Sequence, residues 1–391
     1  MSQSPRPIEA TEELAAFCER LSTAEFVTVD TEFMREKTYW PQLCLVQVAG
    51  PGDAEAIDPL APGLDLTPLF DVMSNSGILK VFHAARQDLE IFHHLTGRLP
   101  TPVFDTQVAA MVCGFGDQVG YETLIAKLAK TQIDKSSRFT DWSLRPLSQR
   151  QVDYALADVT HLRPAYEKLH DKLKRNGREN WLTEEMAVLT DPVTYLSPPE
   201  ESWRRIKIRV NSRRFAAVLR ELAAWRERAA RHLDLPRNRV LRDESLVEIA
   251  HHEPKTVEEL ARTRGLGRRM AEGLQGAAIL AAVEIGLSLP DKDIPTLERG
   301  IALPPGIGPL SDLLKVLLKH QSEELGVAQR LIATSNDLDL IAAFGEKAET
   351  PALGGWRLDA FGTEALQVCA GRRALAAQGR KLRLVTINEP S

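Results

Sequence analysis

The spacing of apolar positions changes character along the chain. Between residues 20 and 85 they fall in short runs rich in β-branched and aromatic residues, at Phe26–Val29, Leu43–Ala49, Glu55–Asp58 and Ile78–His83, which predicts strands. The first three runs lie close enough for hairpin connections, with turn residues at Gly50, Pro51 and Gly52, so this part of the sheet is expected to be partly antiparallel. Beyond His83 the apolar residues recur at helical spacing, predicting helices over 86–95, 106–113, 121–130 and 148–174. Strands followed by helices give an α/β (α+β) unit over residues 1–195, a mixed sheet with helices packed on it.

Two Pro-containing stretches then punctuate the chain: "DPVTYLSPPE" (Asp191–Glu200), read as a linker, and "LSLPDKDIPTLERGIALPPGIGPL" (Leu287–Leu310). They delimit two helical segments, 200–290 and 300–391, that look like copies. "LDLPRNRVLRDESLVEIA" (Leu233–Ala250) aligns without gaps on "LGVAQRLIATSNDLDLIA" (Leu325–Ala342), an offset of 92 residues. Apolar positions coincide at Leu233/Leu325, Leu235/Val327, Val240/Ile332, Leu246/Leu338 and Ile249/Ile341, which favours duplication over chance.

Composition narrows the class. At 391 residues the chain exceeds one ordinary core, and 43% hydrophobic with 26% charged residues describes a globular protein. The stretch "MSQSPRPIEATEEL" lacks the basic and apolar blocks of a signal peptide, and no apolar run reaches bilayer length. Cys18, Cys44, Cys113 and Cys369 are scattered, without metal-type pairing; a monomer in a reducing cytoplasm is the expectation. Charge is uneven. Residues 1–200 hold 19 Lys and Arg against 29 Asp and Glu, whereas residues 201–270 hold 18 against 10. An acidic block before a basic one suggests a cation-requiring site beside a polyanion-binding surface.

The acidic block contains a specific pattern. In "FVTVDTEF" (Phe26–Phe33), strand alternation puts Asp30 and Glu32 on one face. Two anions there repel unless a cation lies between them. "VFHAARQDLEIF" places Asp88 early in a helix, and "QVDYALADVTHL" places Tyr154 and Asp158 four apart on one helical face. Four acids and a tyrosine on three elements suit a phosphodiesterase with two divalent cations, which hold the attacking and leaving oxygens of an in-line displacement. Carboxylate oxygen favours Mg²⁺ or Mn²⁺, and no Cys/His set suggests zinc.

Asp30-x-Glu32, Asp88 and Tyr154-x-x-x-Asp158 resemble, in order and spacing, the three motifs of the tyrosine-bearing DEDD exonucleases. The flanking "DTEFMREKTYWPQLCLVQV", "FHAARQDLEIF", "FDTQVAA" and "TDWSLRPLSQRQVDYALADV" resemble the bacterial ribonuclease D family over most of residues 20–170. The two downstream segments are similar to HRDC (helicase-and-RNase-D carboxy-terminal) domains, the second less so, though it keeps "GGWRLDAFG" (Gly354–Gly362). The resemblance implies a ribonuclease H-like exonuclease domain followed by two all-α HRDC-type domains. It implies a 3′→5′ exoribonuclease that trims RNA 3′ ends such as tRNA precursors and releases nucleoside 5′-monophosphates. Asp30 would bridge two metals, Glu32 and Asp158 would complete the tighter one, Asp88 would hold the second, and Tyr154 would orient the attacking water.

Further nucleic-acid contacts are expected from residues around these motifs. Phe33 and Trp142 offer rings for stacking on a terminal base, with core packing as their alternative. His83, Gln42 and Gln87 offer hydrogen bonds. "DKSSRFTDW" (Asp134–Trp142) reads as a mobile loop over the substrate. In "RTRGLGRRM", Arg262, Arg264, Arg268 and Arg269 flank Gly265 and Gly267, a pattern for sequence-independent phosphate contact at a helix start. A DNA-preferring exonuclease and a non-catalytic nucleic-acid-binding module are the rival readings.

Overall fold

Five strands of the amino-terminal unit, β1 (Phe26–Met34), β2 (Gln42–Ala49), β3 (Ala54–Ile57), β4 (Leu79–Phe82) and β5 (Val103–Asp105), form one sheet in the order β3-β2-β1-β4-β5. β1 pairs antiparallel with β2 and parallel with β4, so the sheet is mixed as expected. The computed structural model of the chain describes residues 5–133, 137, 140–207, 212–295 and 301–387. β5 is three residues long and runs straight into a helix, too short a stretch to leave a periodic signal.

The helices of this unit are α1 (Thr11–Leu21), α2 (Thr67–Ser74), α3 (Arg86–Thr96), α4 (Thr106–Val112), α5 (Tyr121–Leu128), α6 (Gln149–Asn176) and α7 (Glu179–Leu189). α1, α2 and α3 cover one face of the sheet, where Leu14, Phe17, Leu69, Val72, Leu89 and Phe92 pack on Val27, Val29, Val46 and Val48. α6 crosses the other face. Its start is fixed by a reciprocal cap, the Ser148 side chain accepting from the Gln151 amide while the Gln151 side chain returns to Ser148.

The first helical segment comprises α8 (Arg213–Leu233), α9 (Arg237–Val240), α10 (Asp243–His252), α11 (Val257–Leu260), α12 (Arg268–Ala271) and α13 (Leu274–Ser288). It closes around its own core of Phe215, Leu219, Leu222, Leu246, Ile249 and Ile279. The stretch read as a linker is folded: two 3₁₀ turns, Pro192–Tyr195 and Pro199–Arg205, bridge the units, and Tyr195 packs beside His93.

The second segment begins with α14 (Gly308–Leu325), α15 (Gln329–Ile332) and α16 (Ser335–Phe344). α15 and α16 start and stop 92 residues after α9 and α10, and the preceding helices end on left-handed residues in register, Asp234 and Gly326. The copies then diverge. α17 (Gly355–Arg357), a π turn and α18 (Thr363–Cys369) lead into a hairpin, β6 (Arg373–Gln378) and β7 (Lys381–Thr386), so this segment is not wholly helical. Leu314, Leu317 and Phe361 pack with one another's helices, and this core runs without a break into Phe104, Met111, Leu162 and Leu169 of the sheet unit. Trp181 stacks on Trp356 at 4.4 Å, and a Cβ at Gly114 would lie 2.4 Å from the Gly326 carbonyl oxygen. Among the described residues no helix is long and apolar enough to cross a membrane.

Candidate active site

β1 is the central strand, and its alternation aims Thr28, Asp30 and Glu32 at α6. Thr28 Oγ1 donates to the Val159 carbonyl at 2.8 Å, which sets the height of α6 on the strand. Tyr154 and Asp158, one turn apart on α6, then meet the β1 acids. One carboxylate oxygen from each of Asp30, Glu32 and Asp158 lies within 4.8 Å of the others. Asp158 is buried, and the two β1 acids are partly so.

Asp88 approaches from the other side of the strand. It lies buried in the first turn of α3 and accepts from Thr31 Oγ1 at 2.5 Å. The turn before it is pinned by Asp105, whose carboxylate accepts from the Ala84 and Ala85 amides at 2.9 Å each while capping α4. Electrostatics follow from this crowding. Burial first, then the charges of Asp88, Asp158 and Glu32, hold the Asp30 carboxyl well above the usual carboxylate range. Burial lifts Asp88 to about 7, against the Thr31 hydrogen bond. A set of oxygen donors that resist ionising together, with no His or Cys among them, fits hard divalent cations.

A cleft of about 250 Å³ opens on these groups, lined by Asp30, Asp158, Tyr154, His83, Tyr121 and Ile133 among others. The Tyr154 hydroxyl hydrogen-bonds the Asp158 side chain, and burial followed by the Asp158 charge raises its pKa, so the phenol stays neutral. Tyr121 donates to the Asp158 backbone carbonyl and sets its ring edge to His83. Burial pushes His83 down to about 4, so its imidazole is neutral. Thr106 gives its hydroxyl hydrogen to the Phe82 carbonyl, so His83 donates to Thr106 Oγ1 from Nδ1, at 2.9 Å.

Several residues expected at the substrate lie elsewhere. Trp142 is 2% exposed, packed against Tyr154 with Cys44, Leu45 and Ala56. The core-packing alternative holds for this ring, which backs the Tyr154 phenol. The loop carrying it is clamped by Arg145, which donates to both Asp58 oxygens at 2.5 and 2.6 Å and to the Cys44 carbonyl at 2.7 Å. Phe33 follows a register shift after Glu32 and packs on the α1–α3 side of the sheet. Gln42 is exposed in a separate depression beside Trp40 and Pro41, and Gln87 is exposed on α3 outside the cleft. Residues 134–136 and 138–139 of the loop expected over the substrate lie outside the described residues. Arg262, Arg264, Arg268 and Arg269 are all exposed, and Arg268 pairs with Glu272 at 2.7 Å. Gly267 starts only the four-residue α12, too short to present a helix dipole to phosphate.

Two residues escaped the sequence reading. Tyr121 stands at the start of a helix with nothing local to mark it. Gln47 lies directly opposite Asp30 on β2, fully buried, with neither amide atom hydrogen-bonded among the described residues. Its signal was a polar residue inside an otherwise apolar run.

Comparison with known proteins fits this geometry. Residues 5–174 match the family model described as 3′-5′ exonuclease, and residues 215–283 match the HRDC domain. Ribonuclease D of Granulibacter bethesdensis is 51% identical over 384 residues, 98% of this chain and 97% of that one. Ribonuclease D of a Jannaschia species is 52% identical over 387 residues, 98% of this chain and all of that one. The crystal structure of Escherichia coli RNase D, described as an exoribonuclease involved in structured RNA processing, superposes with a TM-score of 0.80 at 31% identity, covering 94% of this chain and 98% of that one.

Proposed function

The chain belongs to the ribonuclease D family and is a 3′→5′ exoribonuclease; within that activity we propose that Asp30, Glu32, Asp88 and Asp158 hold two divalent cations, Mg²⁺ or Mn²⁺, at the RNA 3′ end. The convergence of three carboxylates and Tyr154 on one cleft carries this reading. When bound, such cations supply Lewis acidity to the phosphodiester and acidify a water molecule. The protein's own groups do the positioning. Asp158 engages the Tyr154 hydroxyl hydrogen, which leaves the phenol oxygen free to accept from the attacking water and aim it at phosphorus. A neutral His83 offers a hydrogen bond to the terminal nucleoside. A cleft that gathers Asp30, Asp158 and Tyr154 suits stepwise release of nucleoside 5′-monophosphates from a strand end.

In this reading the domains are residues 1–195 for the exonuclease, 200–290 for the first HRDC domain and 300–391 for a second, divergent one. The register of α9–α10 with α15–α16 supports the last assignment. Substrates are RNA 3′ tails such as those of tRNA precursors. The test is digestion of matched RNA and DNA single strands, labelled at either end, with Mg²⁺, Mn²⁺ or EDTA. The expected result is RNA shortened one nucleotide at a time from its 3′ end, only with metal, releasing 5′-monophosphates. Internal cleavage, or equal digestion in EDTA, overturns the reading.

A further inference from the structure

A second cavity, of about 450 Å³, lies between the sheet unit and the first helical segment. Five arginines from four stretches of chain line it: Arg35 just beyond β1, Arg86 at the start of α3, Arg205 ending a 3₁₀ turn, and Arg231 and Arg237 from α8 and α9. The acids nearby do not balance them. Arg35 makes a two-pronged pair with Glu90 at 2.8 and 2.9 Å. Arg231 and Arg237 share Glu227, 1% exposed, together with the Tyr39 hydroxyl. These contacts join the two units.

Arg205 and Arg86 are left over. Arg205 gives one N–H to Ser197 Oγ at 2.7 Å and meets no acid, and Arg86 meets no acid or hydrogen-bond acceptor among the described residues. Only Glu90 and Glu227 form ion pairs with the five guanidinium groups among the described residues, which leaves Arg86 and Arg205 for an anion. Arginine's planar fork suits phosphate.

The cavity also carries flat aromatic faces. Trp40 stacks on His94 at 3.9 Å, with Tyr39 set edge-on beside it. Such faces suit a nucleotide better than a bare ion. Two elements lead from it to the acids of the active site: Arg86 precedes Asp88 by two residues at the start of α3, and Arg35 follows Glu32 by three just past the end of β1.

We infer that this cavity binds a phosphodiester and base of the RNA strand upstream of the 3′ end held in the catalytic cleft. The inference rests on the exoribonuclease reading above and adds a second grip to it. Arg86→Gln and Arg86→Gln/Arg205→Gln test it in the full-length protein, with Asp30→Asn added for binding so that RNA is not consumed. Each lost phosphate contact flattens the dependence of log affinity on log salt by about 0.7 for a single strand. The double variant should therefore lose about 1.4 from the slope and raise KM on an RNA of ten or more nucleotides, with kcat and dinucleotide binding unchanged. Arg98→Gln, an exposed cation outside the cavity, should leave the slope alone. An unchanged slope, or an equal drop with Arg98→Gln, overturns the inference. So does Arg86-dependent binding of inorganic phosphate without any change in the RNA slope, which would mark a site for free anions. A wild-type chain that fails to shorten RNA would defeat the exoribonuclease reading instead, so the two failures are distinguishable.

Discussion

Replacing Asp30 by Asn should abolish RNA hydrolysis and, in the absence of metal, make the protein more stable. Asp30, Glu32 and Asp158 present oxygens within 4.8 Å of one another. At an effective dielectric of about 20, two full charges at that distance repel by about 3.5 kcal/mol. Burial first, and this repulsion after it, favour the protonated Asp30 carboxyl and raise its pKa. The sign follows from linkage. A carboxyl with a raised folded pKa contributes fully below its unfolded value near 3.8 and loses that contribution as pH rises toward its folded value. Asparagine, which never ionises, avoids the loss. The gain should therefore be near zero at pH 4 and grow with pH, by up to about 1.4 kcal/mol per pH unit. Each 1 kcal/mol of that gain corresponds to roughly 2–4 °C in Tm for a unit of this size. Thermal unfolding in EDTA from pH 4 to pH 8 measures it. With Mg²⁺ the order should reverse in response: the wild type gains Tm and the variant does not. An Asp30→Asn protein no more stable than wild type at pH 7 in EDTA would refute the reasoning.

Three further outcomes are expected. Tyr154→Phe should lower kcat by roughly 10²-fold with metal affinity retained by calorimetry if, as proposed, the phenol aims water and binds no cation. Trp142→Ala should cost about 3–5 kcal/mol in urea unfolding and lower kcat as well, since the indole backs Tyr154; full activity in the folded variant would remove that supporting role. A chain ending at residue 207 should be less stable and prone to aggregate, because it bares Phe104, Met111, Leu162 and Leu169, which continue into the apolar cluster of the second helical segment; a truncation as stable as the full chain would show that contact to be dispensable.

Local patterns were legible in the sequence where the chemistry itself is local. Strand alternation placed Asp30 and Glu32 on one face, and helical spacing joined Tyr154 to Asp158. The 92-residue offset anticipated the register of α9 and α10 with α15 and α16. What depended on chain segments meeting was not legible. Trp142 reads equally as a loop aromatic or a core residue until Tyr154 and Leu45 are seen to bury it. The Arg-rich cavity draws on residues 35 to 237, and no window along the chain contains it. The glycines of residues 265 and 267 suggested a helix start, but the helix they begin runs a single turn. The shared core of the second helical segment was hidden for a related reason, since an apolar helical face does not state which neighbour covers it.

The measurement that bears most directly on the account is Mn²⁺ titration of the full-length chain followed by electron paramagnetic resonance. Two Mn²⁺ ions per chain with a spin-coupled signal are expected, and the coupling should vanish in Asp30→Asn, where the carboxylate facing both Glu32 and Asp158 is gone. An active wild-type chain that binds a single uncoupled ion, or whose coupled signal survives in Asp30→Asn, would contradict it.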